Sequence, residues 1–269
     1  MSATAVPATE PVFHSAAGFD IPVRLIYMTG GGPEQFEAET EFHMNSLKAH
    51  VPVEPDHSVL EIGCGVGRDA MPLTKVIDAR GSYLGVDIIL NSIEWCRDNI
   101  TSKFPNFTFM HYDVSDALHN PTGSTRTSEI TIPLADNSVD RVVLWSVFTH
   151  MASADIIHYL KEFSRVMKPG GLVFATWFIV NDDILRKARE TNLTPFNLRF
   201  EHDFEPGCLI NDANAPMGAV AYTDERLREM IAEAGLELVN DVLPGMWSGF
   251  HAVPKGGQDA TVLRKPFAS

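Results

Sequence analysis

Short apolar runs alternate with longer segments whose apolar residues recur every three to four positions. The runs read as strands and the segments as helices. The first strong strand is Ser58–Ile62, and further strands are expected at 83–86, 107–110, 140–144 and 172–177. Two last strands are expected at 236–242 and 260–264. A leading helix starts at Pro33, after Gly30, Gly31 and Gly32, with Phe36, Thr40, His43 and Leu47 on one face. Another follows Gly67, where Pro72 is tolerable only near the helix start. Asn91 is placed to cap a helix running to about Ile100. Ser153 is placed to cap one that turns Ile156, Ile157, Leu160 and Phe163 inward. A helix over 224–234 is ended by Gly235, and Lys168-Pro169-Gly170-Gly171 makes a sharp turn into the fifth strand. This alternation predicts a doubly wound α/β fold, a mostly parallel sheet with helices on both faces.

Two stretches break the rhythm. Residues 1–29 read as a flexible N-terminal tail and lead-in to a domain over 30–269. Residues 180–221 are polar, hold Pro195, Pro206 and Pro216, and show little periodicity; they read as an insertion covering the substrate site. Hydrophobic residues make up 45% of the 269, enough for one large core. No apolar run is long enough for a membrane span, and the N-terminus lacks the basic and apolar parts of a secretory signal, so a cytoplasmic protein is expected. Thirty-five acids against 21 bases leave a net charge of -14, which argues against nucleic-acid partners. Cys64, Cys96 and Cys208 are too scattered for a disulfide framework or a zinc site, and no metal ligands are expected.

The main chemical signal is Val59-Leu60-Glu61-Ile62-Gly63-Cys64-Gly65-Val66-Gly67. Glycines after a first strand let the backbone approach a ligand closely, beside the free N–H groups of a helix start. Dinucleotide sites use G-x-G-x-x-G to seat pyrophosphate. Here the sixth position is Arg68, and an acid, Glu61, precedes the loop. Asp87 ends the second strand about 20 residues on, where a ribose acceptor is needed. These departures favour S-adenosylmethionine, which carries an amino acid and an adenosine but no phosphate. Cys64 reads as a small buried residue rather than a nucleophile.

At this point the sequence resembles the class I, Rossmann-like methyltransferases. The resemblance rests on the glycine segment with Arg68, on Leu84-Gly85-Val86-Asp87, on the run 132–140, and on 160–171 with Arg165-Val166-Met167-Lys168-Pro169-Gly170-Gly171. It implies a seven-stranded sheet with an antiparallel last strand, and it implies roles. Glu61, Gly63, Cys64, Gly65, Gly67 and Arg68 would hold the methionine portion. Asp87 would hold the ribose, Ile88 would flank the adenine, and Asp113 with Val114 would meet the adenine amino group. Trp145 and Ser146 would lie under the sulfonium. Asp113 is equally readable as a turn cap. The segments Ile93-Glu94-Trp95-Cys96, Ser146-Val147-Phe148-Thr149-His150-Met151 and Ala219-Val220-Ala221-Tyr222 resemble a bacterial group of stand-alone methyltransferases associated with glycan and natural-product pathways.

Methyl transfer to a hydroxyl also requires removal of a proton, a task that suits histidine. His150, after the fourth strand, is the first candidate for general base; His43 and His202 are weaker ones. Trp177, Phe178, Tyr222 and Trp247 are candidates to line the acceptor pocket. The Asn/Asp-Pro-Pro-aromatic motif of amino-methylating nucleic-acid enzymes is missing, since Trp145-Ser146-Val147-Phe148 stands there. The fourth-strand acid of metal-dependent catechol enzymes is missing too. The expectation is metal-independent O-methylation of a sugar, glycan or other polar small molecule. N- or C-methylation of a natural product, or a non-catalytic cofactor-binding partner protein, are the alternatives. A homodimer is left open.

Overall fold

The structure, a computed structural model, describes residues 12–116 and 119–267. The chain opens with a hairpin, β1 (Phe13–Ala16) and β2 (Phe19–Pro22), then α1 (Val23–Met28) and α2 (Pro33–His50). Next come β3 (Ser58–Ile62), the short α3 (Ala70–Leu73), β4 (Ser82–Asp87), α4 (Leu90–Cys96), β5 (Phe107–His111) and β6 (Val139–Leu144). Then follow α5 (Ser153–Val166), β7 (Met167–Trp177), β8 (Ile179–Val180) and α6 (Asp182–Thr191). The remainder is β9 (His202–Glu205), β10 (Cys208–Ile210), β11 (Val220–Thr223), α7 (Asp224–Glu233), β12 (Glu237–Leu238) and β13 (Asp259–Arg264).

The main sheet has seven strands in the order β12-β13-β7-β6-β3-β4-β5. Strands β3 to β7 are parallel to their neighbours among themselves, while β13 runs antiparallel to β7 and to β12. Chain order reverses between β3 and β6, so the two connections leave from opposite sides of that pair. Open α/β sheets bind ligands in the crevice at such a switch point, beyond the strands' C-terminal ends. Lys168, Pro169, Gly170 and Gly171 bulge out of β7: Met167 pairs with Val139, and pairing resumes with Leu172 opposite Arg141.

Two helix starts differ from the sequence expectation. Asn91 and Ser153 lie inside α4 and α5 rather than at their caps. At α4 the carboxylate of Asp87 accepts the Ile89 N–H at 2.8 Å, and at α5 Glu205 accepts the Ser153 N–H at 2.7 Å. At α4 the acceptor is still local, two residues upstream, while at α5 a tertiary acceptor 52 residues away takes the role of a local cap. Helix α4 also passes into a π-turn over Arg97–Thr101. Strand β12 is only two residues long, not the 236–242 expected.

The lead-in before Gly30 needs a correction, because the described part of it is folded rather than tail. Ala16, Phe19, Ile21, Leu25 and Ile26 are buried in one core with Val59, Val66, Ile93 and Cys96. The hairpin turn, Ala17 and Gly18, has φ of +50° and +87°. Asn or Asp normally announces such a turn, and alanine hides it. Residues 1–11 of the expected tail lie outside the described residues.

The insertion is also more ordered than its sequence. Strands β8, β11, β10 and β9 form a second sheet. Asn181 caps α6, accepting the Ile184 N–H at 2.9 Å. Phe178, Ile184, Leu185, Leu198, Phe200 and Trp247 form a separate apolar cluster. Buried Asp259 ties this unit to the main sheet, accepting from Ile179 N at 2.8 Å, Gly245 N at 2.7 Å and Trp247 Nε1 at 2.8 Å.

Candidate cofactor and acceptor site

A cavity of about 870 Å³ opens at the C-terminal ends of β3 and β6. Its floor includes Glu61, Gly63, Cys64, Arg68, Asp69, Trp145 and Ser146. One wall is α2, with Phe42, His43 and His50; the other holds Phe178, Phe196, Met246 and Trp247.

The glycine loop is shaped by packing as well as by conformation. Gly63, Gly65 and Gly67 have φ of +76°, +52° and +75°. A Cβ on Gly63 would lie 2.5 Å from Val147 Cγ2, and one on Gly65 would lie 2.3 Å from Thr29 Cγ2. Thr29 and Gly30 come from the folded lead-in, and Arg68 holds them over the loop. Its guanidinium donates to Thr29 Oγ1 at 3.2 Å and Gly30 O at 2.9 Å, and pairs with Glu39 at 2.8 Å.

Several buried polar atoms at the cavity floor lack protein partners among the described residues: Arg68 Nε, Asp69 Oδ2 and Trp145 Nε1. Glu61 accepts from the Tyr83 hydroxyl. Burial, reinforced by the Asp69 charge, pushes the Glu61 carboxyl well above the usual range, against the Tyr83 hydrogen bond. Two buried acids beside a glycine loop suit a cationic ligand end, which the ammonium and sulfonium of S-adenosylmethionine provide. The residues present therefore fit that cofactor at its methionine end.

The nucleoside-side candidates stand apart from the cavity lining. Asp87 spends its oxygens on the Gly65 N–H at 2.6 Å and the Ile89 N–H at 2.8 Å. Burial raises its pKa while those bonds oppose the rise. Asp113 is exposed and bound within its own loop, accepting from Ser124 Oγ at 2.6 Å and Asn120 Nδ2 at 3.0 Å, which lowers its pKa. That geometry is the turn-capping alternative. Val114 is buried, and Ile88 packs against the core beside it.

Ser146 carries a positive φ of +55°, a sparsely populated state for serine. It is held by its N–H on Thr176 Oγ1 at 2.7 Å and its Oγ on Gln258 Oε1 at 3.0 Å. Burial raises the Cys64 thiol pKa well above its ordinary value, in keeping with an unreactive residue.

His150 does not line the cavity, which corrects its placement as first candidate base. It lies in a helical turn over Phe148–His150, with Nδ1 3.0 Å from Met217 O, and burial lowers its pKa. His202 is exposed on β9, away from the cavity. Trp177 and Tyr222 are also corrected: both are fully buried in the main core. Phe178 and Trp247 do line the cavity. In place of His150 the structure brings His43 to the floor, with Nδ1 2.8 Å from Asp69 Oδ1 and its ring stacked on Trp145 at 3.7 Å. Asp69 had no place in the sequence reading. The available signal was a histidine on the inward face of α2 and an acid one residue after Arg68.

Residues 59–171 match the family model described as a methyltransferase domain. The methyltransferase GfsG of Streptomyces halstedii is 30% identical over 186 residues, covering 68% of this chain and 61% of that protein. The sterol 24-C-methyltransferase erg-4 of Neurospora crassa is 24% identical over 214 residues, 80% of this chain and 50% of that one. The chain thus spans less than two thirds of either curated relative. A SAM-dependent methyltransferase structure from Methanosarcina mazei superposes with a TM-score of 0.51 at 18% identity, covering 80% of this chain and 95% of that one, a likeness of fold. Residues 59–171 thus match a methyltransferase domain, and with the seven-stranded order and the glycine loop the described residues carry the class I, Rossmann-like methyltransferase fold.

Proposed function

We propose that this chain transfers a methyl group from S-adenosylmethionine to a hydroxyl of a largely apolar, ring-bearing small molecule. The observation that carries the reading is the continuity of one cavity. It runs from the glycine-loop floor to a wall of Phe42, Phe174, Phe178, Phe196, Met246 and Trp247. A free sugar would leave several hydroxyls unpaired against that wall, and each buried unpaired hydroxyl costs about 1–3 kcal/mol. An apolar acceptor gains there instead. The printed name of the sterol relative, an enzyme of an apolar substrate, supports the same direction. It also keeps a carbon acceptor as the second reading.

Glu61, Gly63, Cys64, Gly65, Gly67, Arg68, Trp145 and Ser146 would hold the methionine portion; on the nucleoside side Asp87 would act through the Gly65 and Ile89 amides that it orders, with Ile88 next to it, while Asp113 caps its own turn beside buried Val114. When bound, the cofactor supplies an already activated methyl group. The protein's work is to position the acceptor and exclude water. Residues 193–198 and 246–258 contribute much of the outer wall, the covering role proposed for the insertion and the loop before β13.

The test is turnover of methyl-labelled cofactor with phenols, hydroxylated polyketides and sterol-like alcohols, set against free sugars and amines. Labelled ether products from the apolar alcohols are expected. Turnover confined to sugars or amines overturns the acceptor assignment, and a labelled carbon product selects the second reading.

A further inference from the structure

We propose that His43 is the general base of this site and that Asp69 is its positioning residue. The inference rests on the methyltransferase reading and deepens it. His43 is 9% exposed and Asp69 1% exposed, yet both line the cavity beside Glu61 and Gly63. The Nδ1–Oδ1 distance of 2.8 Å holds the imidazole from one side. The stack on Trp145, at 3.7 Å between centroids and 6° between planes, holds it from the other.

A carboxylate on Nδ1 selects the tautomer with the proton there, leaving Nε2 as the acceptor. Among the described residues Nε2 has no hydrogen-bond partner. Trp145 directly follows β6, so the stack fixes the base against the strand end where the resemblance puts the sulfonium. The ring and its two supports come from separate elements: His43 from α2, Asp69 from the segment after the glycine loop, and Trp145 from the β6 exit. Packing and hydrogen bonding alone thus define the ring's position, as a base requires before substrate arrives.

In the step itself, His43 Nε2 takes the hydroxyl proton while the oxygen's electron pair forms the new bond to the methyl carbon. The carbon–sulfur pair stays on sulfur. The positive charge lost at sulfur appears on the imidazole, beside Asp69. The other titratable and charged groups lining the cavity are Glu39 and His50 from α2, Glu61 from β3, Arg68, and Lys255 from the loop before β13. Glu39 and Arg68 already pair with each other.

The experiment uses the full chain and three variants, His43→Gln, Asp69→Asn and Trp145→Phe. Calorimetry with S-adenosylhomocysteine reports folding and cofactor binding, and nitrogen NMR on histidine-labelled protein reports the His43 tautomer. Turnover is measured with the best alcohol acceptor as a function of pH. We expect His43→Gln to bind S-adenosylhomocysteine within about threefold of the parent and to lose at least about 100-fold in kcat, a typical general-base contribution. The limb of the kcat profile that rises with pH should vanish. Asp69→Asn should lose less kcat than His43→Gln and shift that limb. Parent protein should show a protonated Nδ1, and Asp69→Asn should lose that preference. A proton on Nε2 in the parent overturns the assignment even if no acceptor is turned over. So does His43→Gln turning over within a few fold of the parent, or losing cofactor binding. A parent that fails to bind S-adenosylhomocysteine instead overturns the methyltransferase reading, while the tautomer still decides the dyad.

Discussion

At the residue scale, the glycine loop illustrates how one small side chain serves two demands. Gly65 holds φ of +52° and faces Thr29 at a distance no Cβ tolerates. The left-handed backbone alone costs a non-glycine residue about 1–2 kcal/mol. Gly65→Ala should therefore lose more than that in urea unfolding, because the contact with Thr29 Cγ2 adds to it. Adding Thr29→Ser removes Cγ2 and should restore the contact part but not the backbone part. If the double variant is no more stable than the single one, the lead-in does not press on the loop as described. The motif that identifies a glycine position from sequence says nothing of Thr29, since that contact spans 36 positions along the chain.

Among the elements, the two later resemblance segments turn out to be tied to each other. Arg165, near the end of α5, donates to Glu162 through Nε at 2.8 Å and through its terminal nitrogen at 2.7 Å. It also reaches Asp136 Oδ1, Leu134 O and Ile132 O at 2.8, 3.0 and 2.8 Å. Glu162 in turn accepts the Ile132 N–H at 2.7 Å. The run 132–140 is thereby docked against α5 before it enters β6. The Arg165 hydrogen bonds hold the Glu162 pKa below the ordinary glutamate value, against a smaller effect of burial. A depressed acid contributes stability above its unfolded pKa and loses it as pH falls through the folded value. Glu162→Gln should cost about 1.5–3 kcal/mol at pH 7, as charged hydrogen bonds do. The gap from the parent should narrow as pH drops below about 4.3, the unfolded value. Glu61 and Asp87, with raised pKa values, act in the opposite sense but equally in both proteins. A gap constant down to pH 3 would show that the ionic contact contributes nothing.

For the whole molecule, the folded lead-in, the main sheet and the inserted segment's loop at 193–198 meet around one cavity, so its occupancy should stabilise the fold. A ligand present at 100 times its Kd adds about 2.7 kcal/mol. S-adenosylhomocysteine at that excess should raise Tm by several degrees, and NAD at the same concentration should not. A shift with NAD alone would contradict the glycine-loop argument and the family assignment together. No helix among the described residues is long and apolar enough to cross a membrane.

The strands at 58–62, 83–86, 107–110, 140–144 and 172–177 were legible because their apolar character is local and survives without context. The glycine loop was legible for a similar reason: backbone conformation and close approach restrict residue type at the position itself. The β1–β2 hairpin was not, because its turn uses alanine where a recognisable turn residue is common. The four-stranded inserted sheet was not, because its short strands pack in a cluster that Trp247, from a distant part of the chain, completes. The same division separates the two histidines. His150 looked catalytic from its place after a strand, but burial under Met217 is a tertiary matter. His43, Asp69 and Trp145 are separated by 26 and 76 positions, and only the packing of α2 over the sheet edge brings them together. The chain itself thus determined the frame and the donor class through local constraints. Tertiary structure decided which side chains share the cavity, because that depends on long-range packing that no local spacing records.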